Sequence, residues 1–246
     1  MLFRNRAVIS LESVDSTNNY AANLIKLSPP PEGTVITAQF QTEGRGQRNA
    51  IWESHDSDNL LCSFILYPSF LKSEDTFFIS QVVALAIQHT LENHLKKEVF
   101  IKWPNDVIVN NKKIAGVLVE TTWSDSRLSH AVVGIGINLN QQEFDSPRAI
   151  SVRKITGAAW DRLECLEALT IQLEKLYLKL KTGRFAEISG SYKEHLYLLG
   201  EKAQYISGNE QFTATCRGIN QSGKIILELE DGLSQTFDLK EISLVY

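Results

Sequence analysis

Gly134-Ile135-Gly136-Ile137-Asn138-Leu139-Asn140 decides which kind of α/β protein this chain builds. Two glycines one residue apart invite comparison with a dinucleotide-binding loop. That loop needs a third glycine and a helix opening at once, so that a pyrophosphate can rest on the helix N-terminus. Here the third glycine is missing and no helix starts after Gly136, so the reading fails its own context. Ala131–Ile137 is a strand instead. Its glycines suit either a flat floor beneath a ligand, with Asn138 offering that ligand a hydrogen bond, or a simple bulge.

Working upstream, Ile114–Thr121, Val107–Val109 and Val99–Trp103 read as short strands. Asn110-Asn111 supplies a tight turn and Ser124–Ser129 a looser one. The result is an antiparallel meander. Ile114–Val119 is apolar on both alternating faces, and Gly116 within it marks a close approach by a ligand or another backbone. Lys112 and Lys113 point to opposite sides; the one nearer the core is costly unless an anion pairs with it. In Lys102-Trp103-Pro104-Asn105-Asp106 a proline ends a strand and leaves Asn105 and Asp106 projecting from a stiff turn. Those side chains suit either ordinary turn chemistry or a nucleotide with its magnesium ion.

Further upstream, Val8–Leu11 is a first strand, and Asp15-Ser16-Thr17-Asn18 offers N-cap side chains for a helix that ends at Pro29-Pro30-Pro31. Thr34–Gln39 and Asn59–Tyr67 are strands around the loop Gln41–Trp52. That loop carries Gly44, Arg45, Gly46, Gln47, Arg48 and Trp52, a composition that can cradle an anion under an indole. Glu74–Leu95, Leu163–Leu180 and Phe185–Leu196 have helical periodicity. Beyond Gly200, five short strands separated by glycine turns suggest a small β-barrel.

Bulk composition narrows the function. The 246 residues, 43% hydrophobic, can bury a substantial core. With 25 basic and 29 acidic side chains the net charge is −4, so no general nucleic-acid footprint exists and any cationic site is local. Cys62, Cys165 and Cys216 lack zinc-site spacing and read as reduced core residues, and no structural metal is expected. The opening Met-Leu-Phe-Arg-Asn-Arg lacks the apolar run of a signal peptide, and a cytoplasmic location is expected. Ser151-Val152-Arg153-Lys154 matches Ser-x-x-Lys, but the partner motifs of serine acylases are absent.

Taken in order, Ser16-Thr17-Asn18, Gly44-Arg45-Gly46 with Trp52, Lys102–Asp106, Lys113–Gly116, Gly134–Asn138 and Glu241-Ile242-Ser243-Leu244 resemble the biotin protein ligases across nearly the whole chain. The resemblance implies an α/β (α+β) fold. Residues 1–197 would form a class-II-aminoacyl-tRNA-synthetase-like catalytic domain, with a mixed, largely antiparallel sheet and flanking helices. Residues 198–246 would form an SH3-like barrel. It implies two steps: biotin and MgATP give biotinyl-5′-AMP and pyrophosphate, then a lysine of a biotin carboxyl carrier domain, as in acetyl-CoA carboxylase, takes the biotin.

By resemblance Lys113 and Arg45 are catalytic. Ser16, Thr17, Asn18, Gln41, Arg45, Gly46, Gln47, Lys113, Gly116 and Gly136 serve biotin. Arg45, Arg48, Trp52, Lys102, Asn105, Asp106, Lys113 and Asn138 serve the nucleotide, with Asp106 as a magnesium contact. The family loop usually reads Gly-Arg-Gly-Arg-Arg-Gly-Arg-x-Trp; here Gln47 and Ala50 replace arginines and Asn49 a glycine, so its positive charge is thinner. Lys240 and Val245 also depart from the family at the C-terminal end.

Relatives that act as repressors carry an N-terminal helix-turn-helix. The catalytic string begins here at Ser16, and DNA binding is not expected. A homodimer through a sheet edge such as Ala131–Ile137 is an expectation. A non-catalytic biotin or adenylate binding module, or a lipoate-type acyltransferase on the related fold, are the competing readings.

Overall fold

The computed structural model describes Phe3 and residues 7–47, 50–54 and 57–245. A seven-stranded sheet has the order β1-β2-β3-β7-β6-β5-β4, built from β1 (Val8–Val14), β2 (Val35–Gln41), β3 (Leu60–Leu66), β4 (Phe100–Lys102), β5 (Asp106–Val109), β6 (Lys112–Ser124) and β7 (Arg127–Ile137). Only β1 and β2 are parallel; the remaining pairs are antiparallel, so the sheet is mixed as expected. A parallel pair needs a crossover, and α1 (Thr17–Leu27) supplies it. Ser16 starts that helix in extended geometry, and Ser28 before the proline triplet ends it.

Helices α2 (Phe77–Leu95), α4 (Arg162–Lys181) and α5 (Phe185–Glu194) cover one face of the sheet. Beneath them lies the main core, which includes Phe64, Val82, Leu85, Ile135, Leu169 and Leu173, all at or near zero exposure. α1 packs on the opposite face through Ala21 and Ile25, against Ile36, Ile65 and Val132. That second face is covered at one end only, and the uncovered part carries the candidate site.

Two expectations need correction. Ala131–Ile137 is not a sheet edge: β7 lies between β3 and β6 with both ladders filled, so its N–H and C=O groups have nothing to offer a second copy. The outer strands are β1 and β4. The turn after Ser124 is tight rather than loose, because Ser124 pairs with Arg127 and Asp125 takes a positive φ of 53°. The Ser-x-x-Lys string is a helix start: Ser151 caps the short α3 (Val152–Thr156) by accepting from Lys154 N. As expected, Asn110 and Asn111 turn the chain with positive φ at both positions.

The C-terminal strands β8 (Lys202–Ser207), β9 (Glu210–Ile219), β10 (Ile225–Leu229), β11 (Ser234–Phe237) and β12 (Ser243–Leu244) form a separate five-stranded antiparallel sheet, in the order β11-β10-β9-β8-β12. It packs on the first unit. Trp103 Nε1 donates to Gly223 O at 2.7 Å across that junction. Trp103→Phe removes this donor and strands a carbonyl away from water, so we expect a loss of about 1–3 kcal/mol. A thermal melt lowered by several degrees checks it. No helix among the described residues is long and apolar enough to cross a membrane. The three cysteines are free and buried, and burial pushes each thiol above its usual range.

Candidate active site

Sheet register builds the site. Leu61 pairs with Gly136, Gly136 with Gly116, Gly116 with Asp106, and Asp106 with Lys102. Directly paired residues share a face, so one row across four ladders runs from an apolar side chain, over two glycines, to a carboxylate and an ammonium. The parallel row holds Ser63, Gly134 and Leu118. This is the face left open beside α1.

The glycines are there because something lies on them. A Cβ at Gly136 would come within 2.5 Å of Cζ2 of the Trp52 indole, and one at Gly134 within 2.5 Å of Asn18 Oδ1. Of the two readings open from sequence, the flat floor is the one found. The indole itself covers it. Trp52 is brought in by a small hairpin, in which Trp52 N donates to Gly44 O, Arg45 bridges Ile51, and Gly46 N donates to Ala50 O. Its indole N–H is buried and has no acceptor among the described residues.

A cavity of about 300 Å³ lies over this floor. Ser16, Asn18 and Gln41 form one end, Arg45, Gly46 and Gln47 the hairpin side, and Lys102, Asn105, Asp106 and Lys113 the opposite wall. Gly116, Gly136 and Trp52 also line it. Thr17 stands behind the wall: its N–H and hydroxyl donate to Gln41 Oε1 at 2.7 and 3.0 Å. The smaller sheet closes the far end through residues such as Tyr205, Ile225, Ile242 and Leu244. A second cavity of about 270 Å³ adjoins it, sharing Trp52, Lys102, Asp106 and Lys113 and adding Asn138, Phe144 and Arg148. Arg48 lies outside the described residues.

Three of these cations lie against carboxylates. Lys113 Nζ is 2.7 Å from Asp106 Oδ1 and 5.3 Å from the centre of the Trp52 ring. Lys102 Nζ is 3.9 Å from Asp106 Oδ2, and burial pulls its ammonium below the usual lysine range while Asp106 works against that shift. Arg45 Nη2 is 3.0 Å from Glu120 Oε2 on the other side of the cavity. Lys112, by contrast, is exposed, as the alternation of a strand requires.

Two side chains expected to serve the nucleotide also tie the scaffold together while lining the cavities. Asn138 is buried and donates from Nδ2 to Ile150 O at 3.2 Å, although it still borders the second cavity. Asn105 donates from Nδ2 to Val117 O at 2.8 Å, which pins the turn onto β6. Among the described residues no group of three or more His, Cys, Asp or Glu could hold a metal ion.

Ser63 and Glu120 were not anticipated. The Ser63 hydroxyl is 2.7 Å from Thr17 Oγ1 and 2.6 Å from Asn18 Oδ1, and Asn18 Nδ2 donates to Glu120 Oε2 at 2.7 Å. A continuous polar string thus runs Gln41, Thr17, Ser63, Asn18, Glu120, Arg45. One signal was visible: a single serine inside the otherwise apolar Leu60–Leu66. A buried polar group is kept only when hydrogen-bonded.

Residues 10–138 match the family described as Biotin/lipoate A/B protein ligase. A biotin--[acetyl-CoA-carboxylase] ligase of Paracoccus denitrificans is 31% identical, over 88% of this chain and 92% of that one. The bifunctional ligase/repressor BirA of Bacillus spizizenii is 29% identical, over 92% of this chain and 71% of that one. The biotin protein ligase from Aquifex aeolicus, solved in complex with biotin and ATP, superposes with a TM-score of 0.82 at 32% identity, covering 97% of this chain and 98% of that one. Family membership thus rests on matched sequence, whole-chain superposition and a glycine floor flanked by cations: the chain belongs to the Biotin/lipoate A/B protein ligase family.

Proposed function

We propose that this protein is an ATP-dependent biotin protein ligase, which activates biotin as biotinyl-5′-AMP and passes it to a lysine of a biotin carboxyl carrier domain. The carrying observation is the row Leu61, Gly136, Gly116, Asp106, Lys102, with Lys113 beside it. A flat ring system needs the glycine floor, and a carboxylate meeting a polyphosphate needs the cations.

In the first step a biotin carboxylate oxygen attacks the α-phosphorus and pyrophosphate leaves. Two anions must approach, and Lys113, Lys102 and Arg45 lower the cost of that approach. Lys113 lines both cavities, so biotin in the first and nucleotide in the second would meet at its ammonium. In the second step a neutral lysine amine attacks the acyl carbon and AMP leaves, a far better leaving group than oxide. Ser16, Thr17, Asn18 and Gln41 suit the donors and acceptors of a ureido ring. Magnesium would arrive on the ATP phosphates. Asp106 would offer it one carboxylate.

We read residues 1–197 as the catalytic unit and 198–246 as an SH3-like unit that walls the cavity. Three free, buried thiols suit a reducing cytoplasm.

Mixing the protein with biotin and MgATP tests this reading. Pyrophosphate release and a mass matching biotinyl-5′-AMP are expected, and lipoate in place of biotin should give neither. A signal with lipoate alone would move the assignment to the other branch of the family. Gln47 stands where the family has arginine, so Gln47→Arg adds a cation to the hairpin and should slow escape of the adenylate several-fold. Unchanged leakage in a filter-retention assay would contradict it.

A further inference from the structure

Glu53 follows Trp52 directly and belongs to none of the residue sets above. Its Oε1 accepts from Gln141 Nε2 at 3.1 Å and from Asp145 N at 3.3 Å. Gln141 is fully buried; it accepts from Asn59 Nδ2 at 2.6 Å and gives its other donor to Glu143 O at 2.8 Å. Asn59, also fully buried, accepts from Leu139 N at 3.0 Å and donates to Ser54 Oγ at 3.1 Å. The side chains of Glu53, Ser54, Asn59 and Gln141 therefore fasten the returning limb of the glycine hairpin, just after Trp52, to the segment 139–145. A connected polar network of this kind holds its geometry best while every member is satisfied.

The fastened pieces face one another across the second cavity. Ile51, Trp52 and Glu53 form one wall, and Phe144 and Arg148 belong to the other. Trp52 also covers the first cavity. Continuing along the second piece, Arg148 O accepts from Lys113 N at 2.7 Å and Ile150 N donates to Lys113 O at 3.0 Å, so the same segment grips the backbone of the shared lysine. A hairpin seated over one cavity cannot leave the wall of the other unaffected.

We infer that Glu53 is a positioning residue that couples the two seats. Through Gln141 its carboxylate makes the seating of Trp52 and the seating of Phe144 and Arg148 a single event, so that acid and nucleotide bind cooperatively. The identity of the two ligands rests on the ligase reading; the coupling rests on the clasp. One anionic oxygen serves two N–H donors, and loss of the carboxylate takes that acceptor from both Asp145 N and Gln141 Nε2.

The test is biotin titration calorimetry on the full chain, alone and with a saturating ATP analogue whose α,β bridge is a methylene. The native chain should bind biotin about tenfold more tightly with the analogue present, within the usual range of site-to-site coupling. Glu53→Ala should bring that factor to within about twofold of unity, while biotin alone, whose cavity Glu53 does not line, binds within about threefold of native. Native coupling in Glu53→Ala overturns the inference, as does loss of the affinity for biotin alone along with it, which would mark a merely structural residue. Should the alanine chain prove unfolded by its melting curve, Glu53→Gln decides: it keeps an acceptor oxygen without the charge, so its coupling must fall below native. A native chain that binds neither ligand sinks the ligase reading, whereas one that binds both without coupling sinks only the clasp.

Discussion

Lys113→Ala should lower adenylate formation by about 10²–10³-fold, the usual effect of removing one preorganised donor from a site of developing charge. The side chain is partly exposed and supports little of the core, so the melting temperature should stay within a few degrees of native. Asp106 then keeps Lys102 at 3.9 Å as its remaining counter-ion. Lysine-to-arginine exchange should rescue poorly, because a planar fork cannot enter the contact that a compact ammonium makes at 2.7 Å without disturbing Trp52. Biotin-dependent pyrophosphate exchange reads the activity and a melt reads the fold. Normal turnover by the alanine chain removes Lys113 from the mechanism.

Gly136→Ala should raise the KM for biotin by roughly 10- to 100-fold, from the 1–3 kcal/mol that an extra methyl typically costs in a tight contact. The new methyl would stand 2.5 Å from Cζ2 of Trp52, so either the indole leaves the floor or the strand shifts. β7 is held by full ladders on both sides, which makes the indole the part that gives way. Most of the effect should therefore disappear against a Trp52→Ala background. Additive losses in the double variant would mean that the methyl meets the ligand rather than the tryptophan. Gly116 carries the same constraint more mildly: a methyl there would stand 2.9 Å from Trp52 Cζ3 and 3.2 Å from the flexible Lys113 Nζ.

Reading the sequence alone located the chemistry but not its present pairing. Arg45 and Lys113 do line one hollow, as an electrostatic site for two anions requires. Yet Arg45 pairs with Glu120 and Lys113 with Asp106, on opposite sides of the floor. Arg45 and Glu120 stand 75 residues apart, and Asn18 and Glu120 stand 102 apart. No local pattern carries such information, because periodicity reports which face of an element is buried and not which element lies across from it. The clasp at Glu53 was hidden for the same reason: Gln141 lies 88 residues away and Asp145 92.

By itself the sequence determined the elements and their chemistry. Short apolar runs between turn signals marked the antiparallel β4 to β7 meander, paired asparagines marked one of its turns, prolines ended α1, and glycines with lysines and arginines marked a floor and its charges. These follow from forces acting within a few residues: steric limits on φ and ψ, side-chain alternation and capping. Tertiary structure alone decided that β7 is an interior strand, that β1 joins β2 in parallel, and that the smaller sheet closes one end of the cavity. It also decided that Ser63 and Glu120 complete the polar string. Register across a sheet and the partner of a buried polar group depend on segments distant in the chain, and only folding brings them within a hydrogen bond of one another.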